Sequence, residues 1–271
     1  MCYSKKAVFN KIAICRSTRK KQRRKINRTS LLPAVTAAAL TTVSAQAQTP
    51  PAEKSPWEST AALGLTVTSG NSDTVLFNAS VLSIRKKEKN ELRLGVEGTY
   101  GENEGKKNNE QLKGFSQYNR TFGDEDRWYF YGRVEGLHDG IADIDARFTI
   151  SPGIGYYFIK NERATLSGEV GPGAVFEKQG SDDWNTYFTM RAAERFEYKI
   201  NDRAKLWQSL EFLPEVTEVK NYILNAEIGV ETSITEQWGL RVVLQDSYDN
   251  QPSPGREEND LKLIAGMSYK F

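Results

Sequence analysis

The sequence has 271 residues, of which 27% are charged and 38% hydrophobic, and its formal net charge is +2. It contains no run of eighteen apolar residues, which excludes a protein that spans a membrane with helices. The small net charge averages over two unlike parts, because residues 1–30 contain eleven Lys or Arg and no acidic residue.

A secretory leader is predicted at the start of the chain. After the basic stretch come an apolar region at residues 31–43 and an A-x-A site at Ala45 and Ala47; together the three parts are typical of a signal peptide. We therefore expect residues 1–47 to be removed, leaving residues 48–56 as a short linker that contains proline. A start site assigned too early and a basic nucleic-acid-binding arm are the alternatives.

Removal of the leader would change the charge of the protein. The mature chain would carry 26 Lys or Arg against 35 Asp or Glu, a net charge of −9. The basic character therefore belongs to the leader, and a mature protein of this charge gives no support to nucleic-acid binding.

From Trp57 onward the sequence predicts an all-β fold. Twelve segments of alternating or aromatic-rich sequence are separated by turn residues, and such alternation with period two is typical of β-strands. Their approximate spans are 57–68, 72–86, 89–101, 109–122, 126–138, 145–159, 163–177, 184–199, 203–213, 219–233, 236–249 and 259–271.

The connectors between these segments fall into two alternating classes. One class is tight, as in KKEKNE, GDEDR, KNER, NDRA and ITEQ, whereas most of the other class are longer, as in GENEGKKNNE, HDGIADID, EKQGSDD, LPEVTEVK and NQPSPGREEN. Short turns at one end and longer loops at the other are typical of an up-and-down antiparallel barrel in an outer membrane.

Most segments also alternate between an apolar and a polar face. In segment 219–233, for example, Leu224 and Ile228 share one face while Asn225 and Glu227 share the other. A barrel in lipid requires an apolar exterior and tolerates a polar interior. We therefore predict a transmembrane up-and-down antiparallel β-barrel of about twelve strands, with a soluble β-sandwich or lipocalin-like barrel as the alternative.

Four stretches carry a resemblance to a known family. TVTSGNSDT, FTISPGIGYYFI, LSGEVGPGAVFE and the terminal GMSYKF, in this order and spacing, resemble the family of salt-induced outer-membrane proteins, a domain of unknown function, over about residues 57–271. The resemblance implies a β-barrel in the bacterial outer membrane, associated by name with salt stress and without established activity. It implies outer-membrane lipid, lipopolysaccharide and the barrel-assembly machinery as partners.

The interior face of the predicted barrel is rich in charges of both signs. Such a lumen can form a narrow channel, or it can be filled by ion pairs that stabilise the envelope protein. The residues predicted to line it are Arg93, Glu97, Arg133, Glu135, Arg147, Glu169, Arg191, Arg195, Glu211, Glu227, Glu231 and Arg241.

Catalytic and metal sites are not predicted. His138 is the only histidine, and the nearest downstream serine, Ser151, falls in a different segment, which does not support a hydrolytic triad. The acids Asp139, Asp143 and Asp145 fit no calcium-loop spacing. We expect no enzyme activity and no cofactor; an outer-membrane hydrolase of lipase or protease type and a soluble periplasmic binding protein are the alternatives.

The terminal strand gives the first prediction. Its alternation places Leu261, Leu263, Ala265, Met267, Tyr269 and Phe271 on the lipid face. The family resemblance implies that Tyr269 and Phe271 form the signal read by the assembly machinery. A chain without Phe271 should therefore assemble poorly and accumulate in the periplasm, as measured by cell fractionation; normal outer-membrane levels would remove that role.

Overall fold

The structure, a computed structural model, describes residues 56–68 and 74–271. The predicted leader with Ala45 and Ala47 lies outside the described residues, as does nearly all of the linker. Within the described ranges, no helix is long and apolar enough to cross a membrane.

Twelve strands make up the described part of the chain. They are β1 (Trp57–Thr68), β2 (Thr74–Lys87), β3 (Asn90–Asn103), β4 (Lys106–Phe122), β5 (Trp128–Asp139), β6 (Ile144–Lys160), β7 (Ala164–Gln179), β8 (Asn185–Lys199), β9 (Ala204–Pro214), β10 (Tyr222–Ser233), β11 (Trp238–Asp249) and β12 (Asn259–Lys270). Each strand pairs with its neighbours in sequence, and β1 pairs with β12 to close the ring. All of these pairs are antiparallel, as an up-and-down barrel requires. The predicted twelve-stranded barrel is confirmed.

The last strand illustrates how the two faces separate. Leu261 and Leu263 are 64% and 61% exposed on the outside of the barrel. Lys262 and Ile264 alternate with them and are only 9% and 5% exposed. This arrangement, with large apolar side chains outside and polar or packed side chains inside, is that of a barrel whose exterior faces lipid.

Aromatic rings gather near both ends of the outer surface. The pairs are Trp128–Tyr156 (4.7 Å between ring centroids), Trp238–Tyr269 (4.8 Å) and Tyr222–Tyr248 (5.7 Å). The first two lie beside the connectors that the sequence predicted to be tight, and the third lies at the opposite end. Amphipathic rings in these positions are typical of the boundary between hydrocarbon and water.

The described connectors at the two ends of the barrel overlap in length, and only 215–221 and 250–258 are longer than every described connector of the other end. The end that we call the turn end carries connectors 88–89, 123–127, 161–163, 200–203 and 234–237. The opposite end, called the loop end, carries 104–105, 140–143, 180–184, 215–221 and 250–258. Residues 69–73 lie outside the described residues.

One predicted long connector is wrong. The stretch from Gly101 to Glu110 was expected to be an extended loop, but β3 and β4 continue through it and are joined by Glu104 and Gly105 alone. Both residues have positive φ, 51° and 73°, as a tight two-residue hairpin turn of this kind requires. Charged residues that were predicted to lie in the loop therefore extend the barrel wall.

The hydrogen-bond ladder between β6 and β7 is interrupted near its middle. Ile150 lies opposite Ala174 and Ile154 opposite Val170, but the three positions between these pairs are not joined. The common register places Pro152 opposite Pro172. Because proline has no N–H, neither residue can donate a hydrogen bond across the strands, which explains the gap in the ladder.

The junction between β1 and β12 is the shortest pairing of the ring, running from Thr60 opposite Lys270 to Gly64 opposite Gly266. At the glycine pair the two backbones approach closely. A Cβ atom built on Gly266 would lie 2.0 Å from the carbonyl oxygen of Leu63, so only glycine fits without displacing the backbone.

Replacing Gly266 with alanine should therefore weaken the closure of the barrel. Because the clash is with backbone rather than with a movable side chain, we expect a loss of about 2–3 kcal/mol in the free energy of unfolding. Urea unfolding of the refolded barrel in detergent measures this value. Gly132→Ala is the matched control, since open space surrounds Gly132; equal effects of the two changes would contradict the assignment.

Candidate functional site

The barrel interior contains a cavity of about 470 Å³. Every residue predicted to line the lumen borders it: Arg93, Glu97, Arg133, Glu135, Arg147, Glu169, Arg191, Arg195, Glu211, Glu227, Glu231 and Arg241. The structure thus brings these side chains, which are distributed over eight strands, to one polar interior. Their shared orientation follows from the alternation of side chains along each strand.

Six side chains near the middle of the lumen form a group that we call the central ion cluster. It consists of Lys113, Arg133, Glu135, Glu169, Arg191 and Glu211. The contacts are Arg191 with Glu211 (2.5 Å) and Glu169 (2.7 Å), Arg133 with Glu135 (2.5 Å) and Glu211 (4.0 Å), and Lys113 with Glu135 (3.1 Å). Three cations and three anions balance, so the cluster carries no net charge.

Neutral polar side chains complete the central ion cluster. The hydroxyl of Tyr129 donates a hydrogen bond to Glu169 at 2.9 Å, and the Gln117 amide donates to the same carboxylate at 2.8 Å. Tyr129 is only 1% exposed. A buried carboxylate that accepts several hydrogen bonds as well as an ion pair is compensated for its loss of water.

Several contacts run across the lumen rather than along its wall. The Lys262 ammonium donates to Gln111 at 2.9 Å, although β12 and β4 are four strands apart in the ring. Arg147 on β6 contacts Glu177 on the adjacent strand and Asp249 on β11, the latter at 2.6 Å. These side chains bridge distant parts of the wall, so they narrow the lumen as well as stabilise it.

Connector 250–258 crosses the mouth at the loop end, and we call it the strap. It starts between β11 and β12, yet Arg256 approaches Asp143, in the connector on the opposite side of the ring, to 3.9 Å. Ser253, in the middle of the strap, is only 2% exposed. The Gln251 amide also donates to Glu218 at 3.2 Å. The strap therefore covers the mouth instead of extending away from the barrel.

Near the turn end, the charged side chains of the lumen contact residues on nearby strands, unlike those at the loop end. Glu231 is 3% exposed and lies 3.2 Å from Lys270 and 3.7 Å from Lys205. Arg241, opposite Glu231 in the register, has its guanidinium carbon 5.5 Å from the centre of the Trp207 ring. None of these contacts reaches across the ring to a distant strand, so this mouth is lined by charges rather than bridged by them.

Some residues of the lumen are not among those that the sequence predicts to line it. Glu177 is both the last residue of the predicted segment 163–177 and the first residue of the predicted connector EKQGSDD, but β7 continues to Gln179 and places this carboxylate inward, against Arg147. Lys113, Lys262 and Asp249 lie in predicted strands and have the period of interior residues, a signal that could have identified them. That signal does not reveal their partners, which depend on the strands that lie across the lumen.

His138 and Ser151 do not come together. His138 is exposed on the outer face, where its Nδ1 lies 2.9 Å from the carbonyl oxygen of Asp145. Ser151 points into the lumen and is 1% exposed. A residue on each face of the wall cannot form the hydrogen-bonded pair that nucleophilic catalysis requires.

The predicted acidic loop is held by contacts within the protein. Asp139 is 6% exposed and accepts hydrogen bonds from the backbone N–H groups of Ile141 and Ala142, while Asp145 lies 3.5 Å from Lys178. Among residues 56–68 and 74–271, no three His, Cys, Asp or Glu side chains are grouped so that they could hold a metal ion.

The residues of the predicted assembly signal lie at the turn end, beside the closing junction. The Phe271 N–H donates to the Ser59 carbonyl oxygen at 3.0 Å, and its ring is 66% exposed. The ring stacks against Tyr269 with 6.2 Å between centroids. Both rings therefore project outward from the last strand.

Comparison with known proteins gives a family and a shared fold. The family model described as "Protein of unknown function, DUF481" matches residues 61–271. A curated relative from Escherichia coli (strain K12), the uncharacterized protein YdiY, is 23% identical over 159 residues, or 58% of this chain. The chain matches only 60% of the length of that relative.

Among solved structures, the NanC porin is similar in fold, with a TM-score of 0.51 at 8% identity, covering 79% of this chain and all of the porin chain. An outer-membrane channel from Pseudomonas putida F1 gives a TM-score of 0.47 at 10% identity, covering 79% of this chain and 95% of that one. At such low identity the likeness to the porin concerns the fold alone.

The central ion cluster generates a stability prediction. Arg191→Met would leave Glu169 and Glu211 buried without their main cation, and we expect a loss of about 3–5 kcal/mol in the free energy of unfolding. The control is Arg195→Met, whose pair with Glu197 is 33% and 49% exposed and should contribute less than about 1 kcal/mol. Urea unfolding in detergent compares the two variants, and equal losses would show that the cluster is not a stabilising element.

Proposed function

The chain belongs to DUF481, a family of proteins of unknown function, and from its barrel we propose that it is a bacterial outer-membrane protein that forms a narrow channel for ions and small hydrophilic solutes. The supporting observation is the polar cavity of about 470 Å³ inside a wall whose exterior is apolar. A polar interior enclosed by an apolar surface suits passage through a membrane.

The contacts that cross the lumen limit what could pass. The bridge from Arg147 to Asp249 and the strap above it lie at the loop end, so a solute must pass between paired charges. Twelve strands also enclose a smaller lumen than the 16–18 strands of general porins. The proposed channel therefore selects by size and charge, and its closed state is the one with the bridge formed.

The outer membrane is the proposed location, with its phospholipid and lipopolysaccharide as surroundings and the barrel-assembly machinery as a partner during insertion. The exposed rings of Tyr269 and Phe271 support the proposal that this machinery reads the last strand. A role in salt or osmotic stress is consistent with a channel for ions. No catalytic activity is part of the proposal, since His138 and Ser151 lie on opposite faces of the wall.

Conductance of the purified mature chain in planar bilayers tests this function. The wild type should show small conductance steps, and Arg147→Glu and Arg195→Glu should each shift the reversal potential in a KCl gradient toward cation selectivity, because each replaces a lumenal positive charge with a negative one. Arg163→Glu is the control, since Arg163 lies outside, over the Tyr198 ring at 5.3 Å.

A shift of the reversal potential with Arg163→Glu alone would place the selective charges outside the lumen. If the correctly folded protein and all variants conduct nothing, the channel is excluded and the ion pairs of the lumen act only to stabilise an envelope protein.

A further inference from the structure

An apolar groove of about 540 Å³ lies on the outer surface across strands β5 to β9. Trp128, Tyr156 and Phe158 form one wall, and Leu210 and Phe212 form the other. Gly168 and Ala192, between the walls, have little or no side chain. Four strand spacings of about 4.8 Å make the groove roughly 19 Å long. The tilt of the strands inclines the groove by about 45° to the membrane plane. It therefore extends about 13 Å along the membrane normal, close to half the thickness of the hydrocarbon.

Glu194 lies in this groove and is unusual for its position. The register places it between Gly168 on β7 and Leu210 on β9, in the outward-facing row of β8. It is half-buried, and its carboxylate forms no hydrogen bond or ion pair with any residue of the described chain. An ionisable side chain on a lipid-facing surface is costly, and where it occurs it commonly marks a functional site.

The position of Glu194 is inside the apolar band rather than at its edge. Phe196 and Tyr198 follow it in the same outward row toward the turn end, with 6.3 Å between their ring centroids. Two residues of a tilted strand advance about 5 Å along the barrel axis. The carboxylate therefore starts below the aromatic level, where an opposite charge is attracted more strongly than in bulk water.

We propose that this groove binds a single-chain amphiphile that carries a positively charged amine, with the chain along Gly168 and Ala192 and the amine paired with Glu194. The aromatic wall favours the same ligand, since the faces of Trp, Tyr and Phe attract cations. A narrow groove with small residues at its floor suits one flexible chain. The inference rests on the proposed membrane location but not on conduction.

Binding of radiolabelled dodecylamine to the barrel in lipid nanodiscs tests the proposal, after subtraction of binding to empty nanodiscs. Glu194→Gln removes the charge and Ala192→Leu fills the groove, and each should raise the Kd about tenfold or more. The matched controls are Asp246→Asn, another outward carboxylate, and Ala265→Leu, another outward alanine. Both lie outside the groove and should leave the Kd within about twofold.

Dodecanol has the same alkyl chain without the charge, so its binding separates the contribution of the chain from that of the amine. The proposal expects weak dodecanol binding that Glu194→Gln does not change but Ala192→Leu weakens. If dodecanol binds as tightly as dodecylamine, or if Glu194→Gln and Asp246→Asn have equal effects, the groove is an ordinary lipid-filled depression and the proposal is wrong. Failure of the barrel to enter nanodiscs would instead contradict the membrane location.

Discussion

Closure of the backbone hydrogen-bond ladder around twelve strands is the constraint on which the rest of this structure depends. Without water in the hydrocarbon, each peptide group in the wall must find its partner on a neighbouring strand, and a sheet without edges meets that requirement. Closure also forces successive side chains to point alternately outward and inward. Each strand must therefore supply apolar side chains to the exterior and polar or packed side chains to the interior. The barrel stays closed only if the short β1–β12 pairing forms.

The interior of the barrel is held together mainly by paired charges rather than by apolar packing. Only Trp207, Val243 and Ile264 form a buried apolar cluster among the described residues, whereas the central ion cluster joins five strands through paired charges. Such pairs must regain by mutual contact what they lose in hydration. The same side chains therefore determine the stability of the barrel and the width of its lumen. Breaking an ion pair that crosses the lumen would widen the lumen, but it would also destabilise the wall.

How much of this could be read from the sequence depends on the range of the interaction. Alternation with period two is local, so it correctly indicated the strands, and it predicts an inward orientation for Arg191, which is 5% exposed. Contacts across the lumen are set by the register of strands far apart in sequence, and nothing near Asp249 indicates that Arg147 lies opposite. The β3–β4 turn was missed because Glu104-Gly105 lacks the usual Asn-Gly or Asp-Gly signal. Glu194 was hidden because the surrounding strand still alternates.

The strap makes the two mouths of the barrel electrically unequal. It carries Arg256, Glu257 and Glu258, a net charge of −1, on a connector tied to the opposite side of the loop end by one exposed ion pair. A voltage across the membrane acts on that charge with up to about 2.3 kcal/mol per 100 mV if it moves through the full field. If the barrel conducts as proposed, one polarity pulls this charge toward the lumen and the other pulls it outward, so the current is expected to depend on the direction of the voltage.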